Sequence, residues 1–341
     1  MALFVLVSAF LWANGSAEAE GGKEAVGEQQ FKLSISINQP PSSPLYTEGW
    51  IPFVEKLGER TDGRVEATLY HSNSLIPIKE AYDGVTNGLA DIAYCMPSQS
   101  PGRFPLSSFI ELPFMGTSST SASRIANELF DTYPELQAEF KDTHVLFFWA
   151  AEPAGISTSK VPVRTMEDLK GLKIGGPPSA VAIMKALGAS PMVGGPGDRY
   201  NNLQTDIYDG ICMGLYGVTS WNLHEVSKYH TDAQLFVANS VTVMNLNTWN
   251  SLPADVQNIV AELSAELQQK LSEIVDKQHD ESVQIVESNG GEFIELTDNE
   301  MAEWVKAAQP IWDTWIRDME SKGLPGKKLV EEAGALASQY R

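Results

Sequence analysis

Residues 31–37 read FKLSISI, apolar and polar side chains alternating from Phe31 to Ile37 with the period of two that a half-buried strand requires. The next sixty residues turn this strand into a fold. Tyr46 to Thr61 spaces its apolar residues as an amphipathic helix closed by Asp62-Gly63, Val65 to His71 is a second strand, Ile78 to Asn87 a second helix and Asp91 to Met96 a third strand. Strands alternating with helices of this length predict a largely parallel sheet. Ligands of such sheets sit beyond the carboxyl ends of the strands.

Outward from this stretch, a length of 341 residues suits two lobes better than one core. His144 to Ala151 is a dense apolar run carrying Phe147, Phe148 and Trp149, broken by Pro153-Ala154-Gly155, and this is the expected first crossing between lobes. A second alternation comes after it: a strand at Lys173, a helix from Ser179 to Leu187, a strand from Pro191 to Val193 and a helix from Asp198 to Ile207. The apolar segment Ala233 to Leu246 brings the chain back. Pro253 opens a long helix, Ala254 to Glu287, with apolar residues at core spacing from Val256 to Val275; helices over Asp298–Lys322 and Gly326–Gln339 finish the chain. Trp304, Trp312 and Trp315 share one face of the penultimate helix, as core packing demands. The expected division is therefore 30–151 for the first lobe with a return from about 245–300, 152–244 for the second, and 253–341 for the long helix and C-terminal helices packing across both.

A formal net charge of −20 and a pI near 4.6 repel phosphate backbones, which excludes nucleic acid as an expected partner. Ala2 to Ala13 is apolar but for Ser8, too short for the roughly 20 residues that span a bilayer and suited to the core of an export signal. Residues 1–27 are expected to be signal peptide and disordered linker, although no Lys or Arg precedes the apolar run. No later run approaches transmembrane length, so a soluble protein outside the cytoplasmic membrane is expected. Cys95 and Cys212 fall on strands of different lobes, where a disulfide would lock the lobes together; two buried free thiols are expected instead. No H-E-x-x-H, G-x-S-x-G or P-loop is present, and His71, His144, His224, His230 and His279 form no short ligand pair. Neither an enzyme nor a metal or cofactor is expected.

The run Thr165-Met166-Glu167-Asp168-Leu169-Lys170-Gly171-Leu172-Lys173-Ile174-Gly175-Gly176 resembles the D-L-K-G-L-K-I-R element of the DctP-type substrate-binding proteins of TRAP (tripartite ATP-independent periplasmic) transporters. Further phrases occur in family order: Thr61-Asp62-Gly63-Arg64-Val65, Asp83 to Asp91, Pro101-Gly102-Arg103-Phe104-Pro105 with Glu111-Leu112-Pro113-Phe114, Ala186 to Pro191, Tyr208-Asp209-Gly210, and Met244-Asn245 with Trp249 to Pro253. The resemblance implies a two-lobe α/β periplasmic binding protein of type II-like form, with mostly parallel sheets, flanking helices, long C-terminal helices and a cleft between the lobes. It also implies a periplasmic monomer that closes on a small-molecule ligand and delivers it to the transporter's small and large membrane subunits. In the family the arginine ending the element grips a ligand carboxylate. Gly175 stands in its place.

On that fold the candidate ligand residues are strand-end groups: Gln39, His71, Asn73 and Ser98 in the first lobe, Trp149 and Glu152 at the crossing, and Gly175, Gly176, Met213, Tyr216 and Trp221 in the second, with Asn245 at a family position near the cleft. Arg103 either faces the cleft or forms a structural ion pair. Loss of the arginine removes a bidentate fork and vacates volume, and Gly194 stands where a larger apolar residue is common. Two ligand classes stay open. An organic acid would be held by Arg103, Arg199, amides near Gly175 and Gly176, or a cation; an amine or quaternary ammonium would be held by Glu152 with Trp149, Tyr216 and Trp221.

Overall fold

The computed structural model describes residues 30–340 apart from Pro101 and Gly195. The expected export segment, the first proline of the P-G-R-F-P phrase and the glycine after Gly194 lie outside the described residues. β1 (Phe31–Ser36), α1 (Ile51–Arg60), β2 (Val65–Tyr70), α2 (Ala81–Thr86) and β3 (Ile92–Cys95) match the opening alternation. The helix ends where Asp62 and Gly63 take positive φ and Gly63 N–H donates to Gly58 C=O at 2.9 Å, a left-handed stop that glycine enters without strain. α3 (Ser119–Thr132) and α4 (Pro134–Glu139) lead into β4 (Thr143–Ala150). Along β4 the side chains alternate between two cores: Phe148 joins the layer under α3, while Phe147 and Trp149 join the layer under α1.

The second sheet is built from β5 (Gly155–Thr158), β6 (Lys173–Gly176), then α5 (Ala180–Ala186), β7 (Ser190–Val193), α6 (Arg199–Gln204), β8 (Gly210–Met213), α7 (Leu215–Ser220) and β9 (Tyr229–Asp232). β10 (Asn239–Asn245) returns to the first sheet, and after it come α8 (Leu246–Ser251), the 35-residue α9 (Ala254–Ser288), β11 (Glu292–Glu295), α10 (Asp298–Ser321) and α11 (Gly326–Gln339). The strand orders are β2-β1-β3-β10-β4 and β11-β9-β5-β8-β6-β7.

Both sheets are mixed, and the reversals have one cause. β5 is antiparallel to β8 and β9, and β10 to β3 and β4, whereas the other neighbouring pairs are parallel. Each reversed strand comes directly after a crossing. A chain leaving one sheet at its carboxyl-end edge enters the facing sheet at that sheet's carboxyl-end edge, so its first strand must run away from the gap. Two details depart from the sequence-based division: β10 lies in the first sheet although much of it precedes residue 245, and β11, within the expected return, pairs with β9 in the second.

α9 spans about 50 Å at 1.5 Å per residue. Its first half buries Val260, Leu263, Leu267 and Leu271 against the first sheet, and its second half buries Val286 in the core with α7, where Ser282 Oγ lies 2.7 Å from Thr219 Oγ1. Asp276 on α9 accepts from the amides of Ser119 and Thr120 at 2.8 and 3.1 Å, closing the N-terminus of α3. Cys95 and Cys212 are both buried and free. Among the described residues no helix is long and apolar enough to cross a membrane.

Leu267→Ala is expected to cost about 2–5 kcal/mol of unfolding free energy, read by urea denaturation, because α9 cannot collapse into the cavity while both of its halves remain anchored. A second expectation concerns Glu111, whose carboxylate accepts from Asn239 N–H at 3.1 Å and whose burial pushes its pKa up to about 7 from 4.5. Below the unfolded value both states are protonated. Between that value and about 7 the unfolded chain loses its proton first, so this group's contribution to stability declines as pH rises across the window. Denaturation at pH 5 and pH 8 should show Glu111→Gln abolishing a loss on the order of 3 kcal/mol.

Candidate functional site

The carboxyl ends of β1, β2, β3 and β4 and the start of β10 lie along one edge of the first sheet, and those of β6, β7, β8 and β9 along one edge of the second. The two crossings, Ala151–Ala154 and Ala233–Ala238, join these edges and are bonded side by side: Ala151 N–H to Ala238 C=O at 3.0 Å, Ala154 N–H to Phe236 C=O at 2.8 Å, and Leu235 N–H to Ala154 C=O at 2.8 Å. The strand ends of both sheets thus face a common gap.

On the first wall, Gln39 lies just after β1 and is 5% exposed, with its Oε1 unpaired. Asn38 Oδ1, Trp149 Nε1 and Asn239 Oδ1 are likewise buried without a hydrogen-bond partner among the described residues. Eleven buried side-chain polar atoms lack a partner among the described residues, and these four fall together at one end of the first sheet, where a bound molecule or water would supply the pairing that buried polar groups ordinarily have. Tyr94 lies 6.1 Å ring to ring from Trp149, and burial raises its hydroxyl to about 12, which keeps it a donor. Ser240 Oγ donates to Trp149 C=O at 2.6 Å. Sequence reasoning missed Asn38, Tyr94, Asn239 and Ser240; the reversal of β10 brings its first residues, rather than its last, to the gap. His71 packs edge-on against Tyr46 at 5.8 Å beside an exposed Asn73 held at φ 57°, and Ser98 is exposed beside a 160 Å³ pocket reaching Ser107 and Glu111.

The geometry gives several of the candidates other partners. Asn245 pairs beyond Ile92 at the opposite end of the sheet, where its Oδ1 caps α8 through Thr248 N–H at 3.0 Å and its Nδ2 donates to Val85 C=O at 2.7 Å. Arg103 takes the second of its two expected roles, the structural ion pair: it is bound to Asp83 and Asp142 with its guanidinium 4.3 Å over the Tyr82 ring, so its charge is already engaged. Glu152 accepts from Tyr216 N–H at 2.7 Å through Oε1 and meets His279 Nδ1 at 3.1 Å through Oε2, which raises the imidazole pKa. It ties the first crossing to α7 and α9. Trp149 is buried, and Trp221 stands 51% exposed at the C-terminal end of α7, away from Tyr216 at its start. The acidic, aromatic cage expected for an amine is not assembled.

Nor is the volume at Gly175 vacant. A Cβ there would meet Tyr208 Cδ2 at 2.5 Å, and one on Gly194 would strike the Tyr208 hydroxyl. The buried Tyr208 ring crosses the sheet face from the start of β8 over Gly175 toward the end of β7. Gly176 packs against Cys212, and Met213 at the end of β8 receives Arg199 Nη1 at 3.6 Å from its Sδ. The paired glycines were legible in sequence, but not the ring that uses them. Among the described residues no three His, Cys, Asp or Glu side chains are placed to hold a metal.

The fold is shared with solved structures. A TRAP periplasmic solute-binding protein from Desulfovibrio salexigens, in an open complex, superposes with a TM-score of 0.85 at 29% identity, covering 92% of this chain and 97% of that one. One from Rhodoferax ferrireducens in complex with copurified benzoate gives 0.78 at 26%, covering 91% and 98%. The 2,3-diketo-L-gulonate-binding periplasmic protein YiaO of Escherichia coli is 24% identical over 235 residues, 68% of this chain and 71% of its own length. The model of bacterial extracellular solute-binding protein family 7, DctP, matches residues 35–318, and the chain belongs to that family.

Proposed function

We propose that this solute-binding protein captures a small organic acid in the gap between its sheets, closes about the paired crossings, and delivers the ligand to the small and large membrane subunits of a TRAP transporter. The observation that carries this reading is the set of orphaned polar atoms of Asn38, Gln39, Trp149 and Asn239 along the gap-facing edge of the first sheet. His71, Asn73 and Ser98 flank that wall, and Gly175, Gly176, Gly194, Met213 and Tyr216 form the opposing one. The lobes would comprise 30–151 with β10 and its following helices, and 152–238 with β11, while α9 and α10 bridge them. The protein works as a monomer in the periplasm, exported by its N-terminal segment.

Acids are favoured over amines on two grounds. Glu152, the only carboxylate nominated for a cation, is engaged by α7 and His279. Relatives are described with benzoate and with 2,3-diketo-L-gulonate, and the Desulfovibrio structure carries the C-terminus of a symmetry mate, another carboxylate, in its ligand site. Closure comes from differential affinity: ligand contacts made to both walls exist only in the closed state.

Refolded, ligand-stripped protein screened by thermal shift against arenecarboxylates, sugar acids, amines and quaternary ammonium compounds should respond to acids, with about 2.7 kcal/mol of stabilisation at 100 times Kd. Small-angle scattering with the responding acid should show a smaller radius of gyration at unchanged mass. Response to amines alone, or an unchanged scattering profile, contradicts the proposal.

A further inference from the structure

Resting on the organic-acid reading, we infer that Arg199, with the Tyr208 hydroxyl, is the carboxylate anchor of this protein, a relocated cation that replaces an arginine at position 175. Two features link the exchange. The Tyr208 ring as placed occupies the direction in which a side chain on residue 175 would leave β6, so an arginine there would require this ring to move. Gly194 leaves room for the same ring at its far end, which carries the hydroxyl to the end of β7. The glycines at 175 and 194 are thus one device, a slot for a single phenol.

Arg199 opens α6, the helix after β7, and its side chain runs back to the carboxyl end of β8 at Met213. A thioether is a weak acceptor and satisfies little of a guanidinium's five donors. Among the described residues no carboxylate lies within ion-pair distance of Arg199, whereas Arg60, Arg64, Arg103 and Arg164 each hold at least one; Arg124 and Arg317 also lack one, but they are exposed, with Arg124 over the Tyr340 ring and Arg317 donating to Thr314. The guanidinium is half-buried, and this desolvation draws its pKa below the ordinary value while the neighbouring Tyr208 and Cys212 oppose the change. A partly dehydrated cation without an anion, beside a phenol that donates to no protein acceptor among the described residues, is complementary to a ligand carboxylate: the guanidinium donates to one or both oxygens and the hydroxyl to a remaining lone pair.

The experiment measures Kd by calorimetry for benzoate, D-glucuronate and 2,3-diketo-L-gulonate, with benzamide as the uncharged counterpart of benzoate. For whichever acid wild type binds, Arg199→Gln should weaken binding about 30-fold or more, Arg199→Lys about tenfold because the fork is lost and the charge kept, and Tyr208→Phe about three- to tenfold. Unliganded melting temperatures guard against misfolding. A rescue variant separates anchoring from packing: Gly175→Arg with Tyr208→Ala in the Arg199→Gln background should recover acid binding, because the vacated slot readmits a side chain at 175. Unchanged Kd in Arg199→Gln overturns the inference, as does an equal loss for benzoate and benzamide, which would make Arg199 a packing residue. Binding of no acid by wild type would instead bring down the acid-carrier reading on which the anchor depends.

Discussion

The side-by-side pairing of two short chain crossings constrains everything else in this molecule. Ala154 both donates to Phe236 and accepts from Leu235, so the crossings form a two-stranded ribbon with no sheet of its own. Because both pass between the carboxyl-end edges of the sheets, β5 and β10 must run backwards and every other strand must aim its carboxyl end at the gap. A ribbon of this kind bends by small changes of φ and ψ at few residues without breaking a core. The site is therefore placed by topology before any side chain is chosen.

α9 supplies the opposing constraint. It is continuous past both sheets and buries leucines against one and Val286 near the other, so any relative motion of the sheets must roll across its surface. Glu152 sits where these constraints meet, accepting from Tyr216 on α7 and pairing with His279 on α9. A carboxylate that looks like a ligand group in sequence here fastens the first crossing to two helices. Its pairing raises the His279 pKa, so the charged pair contributes below the ordinary histidine value and is lost as pH rises through the raised one.

The fold was largely legible in the sequence because its signals are local. Alternation at residues 31–37, the Asp62-Gly63 stop, the proline before α9 and its apolar residues at core spacing each report on a few neighbours; β1, the end of α1 and both ends of α9 appear within a residue or two of where the pattern put them, while the regular α-helix of α1 starts five residues later than Tyr46. Sheet membership was less legible: β11 joins β9 through register alone, which no short-range pattern records. Strand-end candidates such as Gln39 were read from topology and stand at the gap-facing edge, whereas Asn245 stands at the opposite edge because the direction of β10 decides which of its ends meets the gap. For Arg103 the ion-pair role was legible beside a cleft role, but not its partners, Asp83 and Asp142, which lie 20 and 39 positions away.

Position 175 shows why a motif can identify a fold and mislead about chemistry. The element ending at Ile174-Gly175 builds β6 because Leu169, Ile174 and their neighbours fill a core, and that function does not depend on the last side chain. A side chain at the gap end of β6 is answerable to whatever covers it, and here the cover is Tyr208, contributed from more than thirty residues downstream. Losing the arginine does not open a cavity, because packing to crystal-like density fills the space with the nearest ring that fits. Nor does it remove positive charge from the wall: Arg199 reaches the same strand ends from α6. The charge requirement of a binding wall is a property of a volume, and a folded chain can meet it from any element whose side chain reaches that volume.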